Sequence, residues 1–315
     1  MTTPQLIGFL GRHARWALPA GALLGIAVPA LATALRPLLT LAVIGTLGTA
    51  LLRLDWTQLA AAVRRPALPA AIAAWQLVAS PLLVWFGSAL VGMPPELRLM
   101  LLLQAAAPPI GSAAVFALIL GLDGVLAVIG TVATTMLLPL TLTPLVGLLL
   151  PGAGLQVDLA AFFARVTLLV AAPFALAWVL RRALGTERLA RNDELLSGIN
   201  VLLLVVFAIA VMDGVTERLL GEPRFIGLLL LTACASTALL HLAGFALFRR
   251  AGLATAYGAA VLSGNRNMGL MLVITAGTAG EAFSLYVGLT QIPMYFAPLL
   301  LTPLLARSRG QHRPA

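Results

Sequence analysis

Few side chains in this sequence could do chemistry, and those that could lie beside helix-breaking residues. Gly264-Asn265-Arg266-Asn267 sets an arginine and two asparagines inside a long apolar stretch. A guanidinium near the centre of a bilayer costs between about 3 and more than 10 kcal/mol. It is tolerated only against a polar cavity or a partner. Asn265 and Asn267 supply donors and acceptors, and Gly264 lets the backbone open. Arg266 therefore reads either as an anion-binding residue or as a structural arginine bonded to the free carbonyls of another broken helix. A second interruption, Pro108-Pro109-Ile110-Gly111-Ser112, removes two backbone donors and weakens the following turn. Backbone groups freed there must face protein or a water-lined cavity. The segment is either a plain proline kink or a substrate-lining break.

Other polar residues are weaker candidates. Gln76 carries an amide in mid-span that should point inward, as helix-packing glue or as a ligand. Thr131, with Thr134 and Thr135, lines the same region or bonds back onto its own helix. His241 stands alone in an apolar helix and reads as a packing residue. Asp213, Glu217, Arg218 and Glu222 read as a solvated loop, and Arg165 as a snorkelling cation. An enzyme is not expected. None of the 11 acidic residues falls clearly at mid-membrane, so paired-carboxylate catalysis lacks its acid and base. Three histidines offer no metal-ligand cluster, and Ser263 has no histidine within a helical turn to activate it. Neither a metal nor another cofactor is expected on these grounds.

The elements that hold these residues follow from composition. Hydrophobic residues make up 61% of the 315 and charged residues only 10%, too few charges to cover a water-facing surface. A span needs roughly 20 helical residues, and apolar runs separated by breaks predict helices over 16–34, 37–54, 66–91, 97–120, 124–150, 157–180, 196–214, 225–248, 253–278 and 282–305. The long runs exclude the alternating pattern of a β-barrel. The chain is thus expected to be one all-α, polytopic transmembrane domain over 1–315. A lone cysteine, Cys234, excludes an intrachain disulfide framework.

Arginines orient the helices, since lysine is absent. With sides alternating from the N-terminus, fourteen arginines fall on the first side and four on the other, and Arg165 and Arg266 lie within spans. Positive residues mark the cytoplasmic side, so both termini are expected there. The net charge of +9 thus reflects membrane topology, and no nucleic-acid partner is expected. The two halves also echo each other. Leu142-Thr143-Pro144 recurs as Leu301-Thr302-Pro303, and each follows a helix with an interruption. With five helices per half, about 16–150 and 157–305, the second copy must enter the membrane inverted. Such repeats with matched broken helices are the architecture of many secondary transporters.

On these residues the chain resembles the bile acid:sodium symporter family. The resemblance rests on Gln76 followed by Pro81, on Ala107-Pro108-Pro109-Ile110-Gly111-Ser112, on Thr131 with Leu142-Thr143-Pro144 downstream, and on Ser263-Gly264-Asn265-Arg266-Asn267. It implies ten helices in two inverted repeats, with the fourth and ninth helices crossing where they unwind. It also implies sodium behind the crossing, a cavity for organic anions beside it, and a bacterial inner-membrane location. The departures are specific. A family Ser-Asn pair falls on Ala113-Ala114, a further serine ligand on Ala127, the sodium-binding glutamate on Leu262 and a glutamine on Arg266. Only Gln76 and Thr131 match sodium-ligand positions. The expectation is therefore an alternating-access carrier of a small organic anion in which Arg266 replaces the sodium charge, by binding the anion or by holding the crossing together. A sodium-coupled symporter and a channel-like pore are the alternatives.

Overall fold

A computed structural model describes residues 14–53, 66–111, 113, 124–149, 158–276 and 279–310; side chains are described throughout these except at 14–15, 124–125 and 298–310. The described residues are helical apart from short connections, and six apolar helical segments of 24–29 residues are long enough to cross a bilayer. Large side chains such as Leu90, 89% exposed, point outward on most of these helices. Lipid accepts such a surface and water does not.

The chain begins with α1 (Ala14–Ala27) and α2 (Pro29–Leu35), which meet at a break before Pro29 inside the predicted helix 16–34. A 3₁₀ turn at Arg36–Leu38 leads into α3 (Leu39–Leu52). Later, α8 (Leu159–Leu184) is followed by a short α9 (Thr186–Arg191), α10 (Asp193–Ala210) and α11 (Val215–Gly221). Side-chain contacts give the directions. Gly21 faces Val205 and Gly25 faces Ile209, so α1 runs parallel to α10. Thr49 Oγ1 bonds Asn200 Oδ1 at 2.9 Å and Arg53 pairs with Asp193 at 2.6 Å, so α3 runs antiparallel to α10. The chain therefore reverses direction between α1 and α3. Gly25 is needed at its position, because a Cβ there would lie 2.6 Å from the Ile209 carbonyl oxygen.

The remaining helices form a second group. They are α4 (Ala67–Ala74), α5 (Ser80–Leu90), α6 (Pro95–Ala106), α7 (Gly124–Leu149), α12 (Pro223–Phe248), α13 (Leu253–Gly264), α14 (Met268–Ile274) and α15 (Gly280–Gly310). In this group α12 packs on α13 and α15, α5 on α6 and α4 on α7. In the first group α10 packs on α1 and α3, and α3 on α8. A π-helical turn, Trp75–Ala79, joins α4 to α5 around Gln76. The predicted helix 97–120 is seen only as α6 and its break; its second half, with Ser112 and Ala114, lies outside the described residues apart from Ala113. The predicted helix 253–278 is divided by its polar break into α13 and α14.

Candidate functional site: two paired helix breaks

Both interruptions open for reasons written into their residues. Ala107 precedes a proline and is forced out of the helical region, to φ −62°, ψ 140°. Pro108 and Pro109 then have no N–H to continue the ladder. In the other break Asn265 and Asn267 leave the helical region at ψ 80° and ψ 73°. The Asn267 side chain accepts from the Leu270 N–H at 3.0 Å and caps the new helix α14.

The two extended segments pair with each other. Ile110 N–H donates to the Asn265 carbonyl at 2.8 Å, and Asn267 N–H donates to the Pro108 carbonyl at 2.7 Å. Between them Pro109 and Arg266 form an isolated antiparallel bridge. In this register the central pair exchanges no hydrogen bond, so the missing N–H of Pro109 costs nothing. The bonds join residues 155 and 159 positions apart, and an offset of 157 exchanges one for the other, carrying Ile110 onto Asn267 and Pro108 onto Asn265.

Arg266 is fully buried at this crossing, with 0% exposure. Nε donates to the Ser263 carbonyl at 2.7 Å, Nη1 to the Ala107 carbonyl at 2.8 Å and Nη2 to Ser80 Oγ at 3.0 Å. Nη1 also lies 3.4 Å from the Gln76 carbonyl and Oε1. None of these acceptors is a carboxylate. The charge is met instead by two helix ends, because Ala107 follows the last turn of α6 and Ser263 lies in the last turn of α13. Each helix C-terminus carries about half a negative charge. Two of them amount to about one, which is the charge the guanidinium brings.

The predicted residues among those described, all but Ser112, fall into three groups. Gln76, Pro108, Pro109, Gly264, Asn265, Arg266 and Asn267 are brought together at the crossing. Gly111 turns toward α3, where a Cβ would meet Ala50 at 3.5 Å. The Thr131 hydroxyl donates to the Ala127 carbonyl of its own helix at 2.8 Å, although its neighbour Gly130 faces Leu262 of α13. Two residues given no role in sequence also act here. His241 Nε2 lies 3.3 Å from Asn265 Nδ2, and Trp75 Nε1 donates to Ser263 Oγ at 2.9 Å. Arg165, read as a snorkelling cation, donates to the Ala276 and Val273 carbonyls at 2.9 and 3.1 Å, just past the end of α14 and within it. Only their positions beside an interrupted helix could have signalled these roles.

A cavity of about 670 Å³ lies between the two helix groups, lined by Thr40, Val211, Asp213, Leu272, Thr275 and Phe283 among others. Its rim carries the Arg36–Asp213 pair, 2.8 Å apart, on the arginine-poor side. The sequence alone suggests a solvated loop for Asp213 and Arg218, but both make specific pairs. Asp213 bonds Arg36 and Thr33 at the cavity, and Arg218 pairs with Glu222 and Glu281. The seven-residue α14, about 10 Å long, separates the cavity from the crossing. Arg266 does not line the cavity.

A family model described as Sodium Bile acid symporter family matches residues 40–218. The matched region contains Gln76 and the first break and ends before the second. No individually curated protein matches the chain.

Proposed function

Because the chain belongs to the sodium bile acid symporter family, we propose that it is a secondary transporter of small organic anions that works by alternating access without sodium. The observation that carries the sodium-free reading is Arg266. A fixed cation sits at the paired breaks, and its neutral partners already occupy its donors. The C-terminal ends of α6 and α13, which need a positive charge between them, have one that cannot leave. Ala127 and Leu262 offer no side-chain oxygen to an ion. Of the two roles expected for Arg266, the geometry supports holding the crossing together, since α14 stands between it and the cavity.

The substrate path then runs through the cavity between the two helix groups. Its mixed lining, with Thr40, Thr275 and Ser284 beside Leu272 and Phe283, suits an anion with an apolar body. The 157-residue relation of the two hydrogen bonds at the crossing supports ten spans in two inverted repeats, with one group rocking against the other. The arginine bias supports both termini on the cytoplasmic side, in this reading of a bacterial inner membrane.

Thermal stability of the purified chain tests the proposal against a panel of carboxylates and sulfonates, each presented as a sodium or a choline salt. A ligand of the folded state raises Tm by mass action. Equal stabilisation in both cations is expected. Stabilisation only in sodium would make the chain a sodium-coupled symporter.

A further inference from the structure

His241 on α12 lies against the second break and has no task in the transport reading above. The ring is half-buried and fills the space beside residue 264, where a Cβ would fall 1.7 Å from Nδ1. Nδ1 lies 2.8 Å from the Thr237 carbonyl, which can only accept. Nδ1 therefore carries the proton and Nε2 is left with its lone pair. Thr237 is itself held, its hydroxyl accepting from Gln104 Nε2 at 3.2 Å.

Nε2 faces Asn265, and the arrangement there is one-sided. Asn265 Nδ2 is shared between the Val261 carbonyl at 2.9 Å and His241 Nε2 at 3.3 Å. Asn265 Oδ1 is buried and has no partner. An idle buried acceptor costs about 1–3 kcal/mol, so this amide is poised to turn over if Nε2 becomes a donor.

We propose that His241 Nε2 is the coupling-proton site of this carrier, with the Asn265 amide as its switch. One proton adds to Nε2, the imidazole becomes an imidazolium, and no covalent bond breaks. The Asn265 side chain rotates so that Oδ1 accepts from Nε2–H and Nδ2 leaves the Val261 carbonyl. The change reaches the crossing directly, because the Asn265 carbonyl accepts from Ile110 and its N–H donates to Val261 at 3.1 Å. One proton moving with one monovalent anion makes the step electroneutral. This inference rests on the transport reading and supplies its driving ion.

Several titratable groups on the neighbouring elements have partners of their own. Arg218 of α11 pairs with Glu222 and with Glu281 of α15. Tyr286 of α15 donates to Gln104, and Tyr257 of α13 packs its ring on Phe245 at 5.0 Å. Tyr295 on α15, Glu217 on α11, and Cys234, Arg224, Arg249 and Arg250 on or beside α12 make no hydrogen bond to the ring. Arg266, next to Asn265 in the chain, gives its donors to Ser263, Ala107 and Ser80.

Two readouts test the proposal. In a His13→Gln/His312→Gln variant labelled with ¹⁵N-histidine, His241 is the single histidine in an otherwise unaltered chain. The ring should be the Nδ1–H tautomer at pH 9 and become an imidazolium by pH 5. A ring that stays neutral to pH 5, or holds its proton on Nε2, overturns the proposal. The transport probe is the sulfonate taurocholate, which stays ionised and does not cross lipid unaided. In proteoliposomes in choline buffer, with the outside one pH unit more acidic, the original chain should accumulate the probe up to about tenfold. His241→Gln should reduce this to the level seen without a gradient, and accumulation undiminished in that variant would also overturn the proposal. If the original chain moves no organic anion of the panel, the transport reading fails, and the titration still decides whether Nε2 takes up a proton.

Discussion

Replacing Arg266 by methionine removes the charge and keeps a similar apolar volume. The Ser263 and Ala107 carbonyls then lose donors at 2.7 and 2.8 Å. A buried acceptor without a partner costs about 1–3 kcal/mol, so the two together cost about 2–6 kcal/mol. Ser80 adds little, because its hydroxyl also reaches the Gln76 and Ala105 carbonyls at 3.2 and 3.3 Å. Part of the loss is returned, since a guanidinium no longer has to be desolvated. The expected net loss is about 3 kcal/mol, which at about 2 °C per kcal/mol lowers Tm by about 6 °C. Arg266→Lys keeps the charge between the two helix ends but lacks the planar fork, and should fall about halfway. Melting of the detergent-purified variants, followed by tryptophan fluorescence, reads the series. With the fixed cation gone, sodium should raise Tm of the methionine variant more than choline does, and should leave the original chain unmoved. A methionine variant melting within about 2 °C of the original chain would refute the reasoning, as would a lysine variant no better than methionine.

Further predictions follow from contacts at and near the crossing. Gly264→Ala drives a methyl into the His241 ring and should destabilise by about 3 kcal/mol; adding His241→Ala should recover at least half, read as a coupling in a double-mutant melting cycle. Gly269 of α14 lies where a Cβ would come within 2.9 Å of Phe207 of α10 and Val43 of α3, across the two helix groups. Gly269→Val should slow anion uptake by roughly tenfold or more while Tm shifts by no more than about 4 °C, because the packing within each group is untouched. Ser263→Ala removes the acceptor of the Trp75 indole and should cost about 1 kcal/mol, visible as a Tm drop of about 2 °C. Arg266→Glu should make anion-induced stabilisation depend on sodium, and its absence in either cation would count against Arg266 as the replacement for an ion.

The sequence alone determined that the chain crosses a membrane as helices, because 61% apolar residues with 10% charged leave no other surface to build. It determined where two helices fail as well. Pro108-Pro109 cannot donate, Ala107 before them cannot stay helical, and Asn267 can cap whatever begins next. These are local effects, carried by covalent geometry and by side chains reaching their own backbone. The partner of each break was not local. That Ile110 would bond Asn265, and Asn267 bond Pro108, depends on two segments 157 residues apart arriving antiparallel. Sequence left Arg266 between an anion site and a structural cation. The tertiary structure placed it between the ends of α6 and α13, one helix away from the cavity. It likewise turned Thr131 onto its own carbonyl and set His241, an ordinary packing residue by its neighbours in sequence, against the opened turn at Gly264. An unpaired carbonyl or a buried charge fixes only that some partner must exist, and the choice of partner belongs to the packing that brings distant segments together.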